Sequence, residues 1–245
     1  MQETRFHALA DGRPIAFRQQ EGTGPALVFL PGYMSDMAGS KAQAVFDFAS
    51  RTGRACLLLD YSGCGESPGD FANGTLSRWR DEVLALIAAR LDPGTPVLLI
   101  GSSMGGWLML LVGQALGDRL AGMIGIAAAP DFTSWGYDAD EQAVLTSGET
   151  LLRHNPYGPE PTPTHAGFWR DGQAQRQLEG DIAITAPVRL LHGQDDAEVP
   201  PAISSRLAAA LRSDDVQLTL VKHGDHRLSR DGDVALLLQT ITSLS

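Results

Sequence analysis

Four apolar runs of strand length, residues 26–30, 55–59, 97–100 and 123–127, constrain this chain more than any other feature. Each is too continuous for a sheet that exposes one face, so they read as parallel strands buried on both faces. Segments of helical composition, 41–49, 77–90 and 104–116, stand between or beside them. The second opens on Ser77 as a predicted N-cap and carries Asp81 and Glu82 in its first turns, where the helix dipole favours acids. Alternation of this kind means βαβ units. Ahead of it, stretches 4–9 and 15–19 flank the turn signal Asp11-Gly12-Arg13-Pro14 and predict a hairpin. The rhythm resumes with a strand at 188–191, a helix at 201–211, a strand at 216–221 and a last helix at 234–244.

Only residues 131–186 break the pattern. They are rich in Pro, Gly, Trp and Tyr, include the proline-dense stretch 155–163, and hold no buried strand run. A structureless insertion of that length is improbable in a compact domain unless it is functional, so a cap of short helices and loops is expected. The expected fold is α/β, a mostly parallel, doubly wound sheet of about eight strands, with a core of residues 1–130 and 187–245 and an inserted cap at 131–186. A chain of 245 residues that is 43% hydrophobic can bury one such core.

Charge narrows the partners. The chain carries 29 acids against 19 bases, a formal charge of -10, which argues against a phosphate-tracking surface for DNA, RNA or anionic membrane. No apolar run approaches the roughly 20 residues of a membrane span. Cys56 lies in an apolar run and Cys64 in a Gly-rich turn, without disulfide framework or metal-ligand spacing. The N-terminus shows neither a signal-peptide nor a transit-peptide pattern, so a cytoplasmic protein is expected.

The chemistry centres on the run from Leu98 to Gly106, where Gly101-x-Ser103-x-Gly105 joins a strand to a helix. This resembles the nucleophile elbow of α/β hydrolases. The glycines allow the sharp turn, and the serine then projects at the carboxyl edge of the sheet beside helix amides that stabilise negative charge. A Gly/Ser turn closing a strand is the bland alternative. A phosphate loop is excluded, because no Gly-Lys-Ser/Thr ending follows.

A serine hydroxyl needs a base within hydrogen-bond reach and an acid to orient that base. In the fold that the elbow resembles, chain order is Ser, acid, His. The loop His192-Gly193-Gln194-Asp195-Asp196-Ala197-Glu198-Val199-Pro200 supplies acids after a strand, with Asp196 at the expected position and Asp195 or Glu198 as the neighbours that would displace it. Val221-Lys222-His223-Gly224-Asp225-His226 supplies the base. His226 is better placed to reach over the sheet edge, while His223 and His192 are read as structural hydrogen-bond partners. The oxyanion hole needs two backbone amides: Met104, after the nucleophile, and Tyr33, in the Pro31-Gly32-Tyr33 turn after the first core strand. Asp60-Tyr61-Ser62-Gly63-Cys64-Gly65-Glu66-Ser67 is assigned to scaffold, since the third glycine of a dinucleotide loop is replaced by Pro68. Phe132, Trp135, Tyr157, Phe168 and Trp169 are candidates for an acyl pocket, or else the core of the cap.

Taken together, Phe29-Leu30-Pro31-Gly32-Tyr33, Asp60-Tyr61-Ser62-Gly63, the block from Gly101 to Leu110, Arg189-Leu190-Leu191-His192-Gly193 and Lys222-His223-x-Asp225-His226-Arg227 resemble the family of the mitochondrial acyl-glucuronide esterase and palmitoyl-protein thioesterase with its bacterial relatives. The resemblance implies a Ser103, Asp196, His226 triad acting on esters or thioesters of a small-molecule or acylated substrate, with no cofactor or metal. A perhydrolase or acyltransferase shares that triad. A non-catalytic receptor on the same scaffold is the reading from another class, and such proteins commonly lack a triad member.

Overall fold

The computed structural model describes residues 3–155 and 158–244. In chain order the first elements are β1 (Arg5–Ala8), β2 (Pro14–Gln20), β3 (Thr23–Leu30), α1 (Ser40–Thr52), β4 (Arg54–Leu59), α2 (Leu76–Arg90), β5 (Val97–Ser102), α3 (Met104–Leu116) and β6 (Leu120–Ile126). The 131–186 segment contributes α4 (Phe132–Trp135), α5 (Ala139–Ser147), β7 (Leu151–Arg153), β8 (Thr162–Thr164) and α6 (Ala166–Ala174). Then come β9 (Val188–Gly193), α7 (Ala202–Ala210), β10 (Val216–Val221) and α8 (Asp231–Ser243).

An eight-stranded sheet in the order β1-β2-β4-β3-β5-β6-β9-β10 forms the centre. Pairing is antiparallel between β1 and β2 and between β2 and β4, and parallel from β4 through β10. The continuous apolar runs are explained by burial on both faces. Val28, Leu57 and Leu99 pack on one side with Trp79, Val83 and Leu108 of α2 and α3, whereas Leu27, Leu58 and Ile100 pack on the other with Val45, Phe46 and Ile241 of α1 and α8. Because strand side chains alternate, both neighbours must be apolar when helices cover both faces. Helix α3 is buried from Met104 through Gly113, so it sits at the centre of its layer.

Local details differ from expectation at α2. Its N-cap is Thr75, whose hydroxyl accepts from the Arg78 amide at 3.1 Å, not Ser77. Ser77 instead donates its hydroxyl to Asp171 of α6 at 2.6 Å, and the same carboxylate accepts the Ser77 amide at 2.8 Å. With the helix starting at Leu76, Asp81 and Glu82 fall beyond its first turn. Glu82 turns inward, accepts from the Ser62 amide and hydroxyl at 2.9 and 2.6 Å, and pairs with Arg13. It secures the 60–67 loop rather than the helix dipole. Asp60 pins the same loop by accepting from the Met37 and Glu66 amides at 2.7 and 2.8 Å.

The 131–186 segment adds a small antiparallel pair, β7 with β8, to the expected short helices. Asp131 joins the two ends of the segment by accepting from the Gln177 and Leu178 amides at 2.7 Å each, and Trp107 of α3 ties it to the core by donating its indole N–H to the Gln175 carbonyl at 3.1 Å.

Candidate active site

At the junction of β5 and α3 the chain turns so sharply that Ser103 adopts φ 54°, ψ -120°, a region L-residues rarely occupy. Close packing imposes this. A Cβ on Gly101 would overlap the Gly105 carbonyl, and one on Gly105 would overlap the carbonyl oxygens of Leu30 and Pro31. Since those atoms are backbone in a buried sheet, Gly105→Ala should destabilise the fold by at least roughly 1–3 kcal/mol. Thermal or urea unfolding checks this; an unchanged midpoint would mean that α3 lies farther from β3 than described.

The turn aims the Ser103 side chain at the His226 loop. His226 Nε2 lies 3.0 Å from Ser103 Oγ, and His226 Nδ1 lies 2.9 Å from Asp196 Oδ2. Nδ1–H therefore donates to the carboxylate and leaves Nε2 to accept from the serine hydroxyl. The Asp196 side chain is fully buried and that of His226 is 13% exposed. Burial opposes ionisation of Asp196, yet hydrogen bonds from His192, His226 and the Val199 amide outweigh it and hold the carboxyl well below the usual carboxylate range. Asp195 lies elsewhere. It forms an exposed pair with His223 at 3.1 Å, while Glu198 Oε2 stands 3.9 Å from His226 Nε2 at the cleft wall.

Ser103 opens into a cleft of about 930 Å³. Pro31, Gly32 and Tyr33 form one wall, and a Cβ added to Gly32 would stand 3.3 Å from both the Ser102 carbonyl oxygen and Ser103 Cβ, which measures how closely this loop approaches the elbow. Neither the Tyr33 nor the Met104 amide donates a hydrogen bond to any described residue. Both line the cleft. An oxyanion formed at the serine would require two such N–H groups within hydrogen-bond reach.

Of the aromatic candidates, Phe132 and Trp135 line the cleft, joined by Tyr137. Phe168 does not: it is 1% exposed and packs in the core cluster. Trp169 donates its indole N–H to the Thr133 carbonyl at 3.0 Å and does not line the cleft either. Tyr157 lies outside the described residues. The Tyr33 ring meets Phe71, Phe132 and Phe168 at 5.0, 6.2 and 4.9 Å, and its hydroxyl donates to the Pro163 carbonyl of β8 at 2.9 Å. The loop that carries Tyr33 is thus bonded to the cap.

Other cleft groups carried no sequence signal. Lys41, from α1, donates to the Arg227 carbonyl next to His226, and burial lowers its pKa to about 8. Arg153 of β7 pairs with Glu141 and stacks 4.2 Å from the Tyr137 ring. Cys56 and Cys64 are buried and unbridged, and burial pushes both thiols up to about 12, so neither offers a thiolate.

A mostly parallel, eight-stranded sheet whose β5 turns through a positive-φ serine into a buried helix is the architecture of the α/β hydrolases. The chain belongs to that family: the profile described as "Alpha/beta hydrolase family" matches residues 27–236. Among its relatives, the mitochondrial palmitoyl-protein thioesterase ABHD10 of Mus musculus is 37% identical over 236 residues, covering 94% of this chain and 78% of that protein. A putative hydrolase from Agrobacterium vitis superimposes with a TM-score of 0.91 at 36% identity, over 99% of both chains. The structure of mouse ABHD10 gives the same TM-score at 33% identity, over 99% of this chain and 98% of that one.

Proposed function

We propose that this chain is a serine hydrolase of carboxylic esters or thioesters, with Ser103 as nucleophile, His226 as general base and acid, and Asp196 as the group that orients His226. The observation that carries it is the continuous line of hydrogen bonds from Ser103 Oγ through His226 to the buried Asp196. Ser103 attacks the acyl carbonyl while His226 Nε2 takes its proton, and the Tyr33 and Met104 amides hold the oxyanion. His226 then returns the proton to the leaving oxygen or sulfur, leaving an acyl-enzyme. Water repeats the cycle, its proton passing to His226 and the acid leaving Ser103. Asp196 keeps the imidazole in one tautomer and balances the imidazolium without taking its proton.

The 131–186 cap supplies Phe132, Trp135 and Tyr137 to the cleft, and this apolar side suits an acyl chain. Relationship to a thioesterase supports the thioester side of the reading. Two buried, unbridged cysteines support a reducing compartment such as the cytoplasm. Among the described residues no helix is long and apolar enough to cross a membrane.

The test is a panel of nitrophenyl esters and acyl thioesters of graded chain length, together with a fluorophosphonate probe. Turnover is expected, along with one covalent adduct that mass spectrometry places on Ser103. Turnover with the adduct on another residue, or no turnover at all, would reject the assignment.

A further inference from the structure

The hydrogen-bond line does not stop at Asp196. His192, the penultimate residue of β9, is wholly buried, and its Nε2 lies 2.9 Å from the Val199 carbonyl and 3.2 Å from Asp196 Oδ2. Its Nδ1 lies 2.6 Å from the hydroxyl of Ser204 on α7, which is also buried. These contacts define the ring's proton. Nε2 faces two acceptors and carries a hydrogen, shared between carbonyl and carboxylate; in the neutral ring Nδ1 then accepts from Ser204 Oγ–H. We propose that His192, with Ser204 behind it, is a positioning residue for the catalytic acid, so that the functional relay is five residues long: Ser204, His192, Asp196, His226 and Ser103. The proposal rests on the serine hydrolase reading of the same site.

Asp196 shows why such support is needed. Its Oδ1 accepts from the Glu198 and Val199 amides at 2.9 and 2.8 Å, which leaves Oδ2 to face His226. Two backbone bonds to one oxygen still permit the carboxylate to swing about that oxygen. The Nε2–H of His192 supplies a second donor to Oδ2 and closes this freedom from below, while His226 holds it from above. The strut is anchored at both ends in regular structure, since His192 sits in a strand paired on both sides and Ser204 lies in α7. The titratable groups around Asp196 are His226 from the 222–230 loop, His192 from β9 and its own neighbours, of which Asp195 turns outward to His223 and Glu198 toward the cleft. The positioning is thus done by the Nε2–H of His192 together with the Glu198 and Val199 amides.

His192 does not line the cleft. Its loss is thus expected in kcat and not in KM. His192→Phe keeps a ring but offers no donor, and should lower kcat roughly ten- to a hundredfold at unchanged KM, the range of one hydrogen bond to a charged group. His192→Gln places an N–H the same number of bonds from Cβ as Nε2 and should recover most of that loss. The far-downfield proton resonance of the His226–Asp196 hydrogen bond should shift in His192→Phe and return in His192→Gln, a response that a merely structural role would not produce. If His192→Phe does not fold, Ser204→Ala removes only the hydroxyl that fixes the tautomer; it should move the same resonance and lower kcat severalfold at unchanged KM. A folded His192→Phe with kcat within twofold of wild type and the resonance in place would overturn the proposal, as would a Gln variant no better than Phe. For Ser204→Ala, an unmoved resonance with unchanged kcat does the same. Fluorophosphonate labelling of wild type separates the two levels: no adduct at Ser103 rejects the hydrolase reading, whereas a normal adduct with indifferent His192 variants rejects only the relay.

Discussion

Ser103→Ala is expected to lower kcat on every ester or thioester that the wild type turns over, by about 10⁴- to 10⁶-fold, with KM nearly unchanged. The size follows from covalent catalysis. On the proposed mechanism no acyl-enzyme forms without Oγ, and His226 and Asp196 lose the group they would act on. A residual rate about 10³-fold above the uncatalysed one is expected, since the proposed oxyanion hole of Tyr33 and Met104 amides is untouched by the substitution. The fold itself should be indifferent to alanine, which tolerates φ 54° no better than serine. Ser103→Gly is different. Glycine occupies that region without a Cβ penalty, so this variant should be as inactive as alanine and more stable by about 1 kcal/mol. Steady-state kinetics with thermal unfolding of the three proteins tests both statements. Activity retained in Ser103→Ala would move the nucleophile elsewhere.

The strained serine also shows which parts of this protein its sequence reveals. Gly101-x-Ser103-x-Gly105 was legible because sterics leave so few residues able to occupy the turn: an overlap with backbone atoms has no remedy in another side chain. The sheet was legible for a similar reason, since strands covered on both faces read as nearly continuous apolar runs. Strand starts were less so. β3 begins at Thr23 and β6 at Leu120, three residues ahead of their expected apolar runs: β3 pairs on through the exposed Thr23, whereas in β6 the small Ala121 and Gly122 interrupt the apolar run although Leu120 is buried.

Features that depend on contacts distant in sequence were hidden. Ser77 has the composition of a cap, but its partner Asp171 lies 94 residues away, and nothing local announces it. The strands β7 and β8 are three residues long, and β8 centres on Pro163, a residue that argues against a strand in any window. Phe168 and Trp169 were candidates for the pocket or the core of the cap, because aromatic content marks burial without saying against what; Phe168 packs in the core and Trp169 is a cap tether. The acid was the hardest choice. Asp195, Asp196 and Glu198 differ little as residue types, and only the fold of the loop places Asp196 beneath His226, with Asp195 in solvent beside His223. His192 was read correctly as a partner for loop backbone, through Val199, but its contact with Asp196 emerges only from how β9 and the loop pack.

That difference among the acids makes their substitution the second large effect. Asp196→Asn is expected to lower kcat by about 10⁴-fold, because an amide either presents its oxygen without the charge that balances the imidazolium or turns its NH₂ toward Nδ1 and imposes the wrong tautomer. Asp195→Asn removes only an exposed pair with His223 and should stay within about threefold of wild type, as exposed ion pairs contribute little. Glu198→Gln should cost far less than Asp196→Asn, since its carboxylate stands 3.9 Å from Nε2, beyond hydrogen-bond reach in the resting geometry. Acid stability gives a separate check. The folded-state pKa of Asp196 is depressed, so its ionised form adds stability that is fully present above the unfolded value of about 4 and is lost as pH falls through the lower folded value. The uncharged variant has no such contribution. Unfolding midpoints of wild type and Asp196→Asn should therefore lie farthest apart near neutral pH and converge as pH drops below about 4. A constant gap would show that Asp196 is not held ionised by its donors, and a larger kinetic cost at Asp195 or Glu198 would shift the catalytic acid to that position.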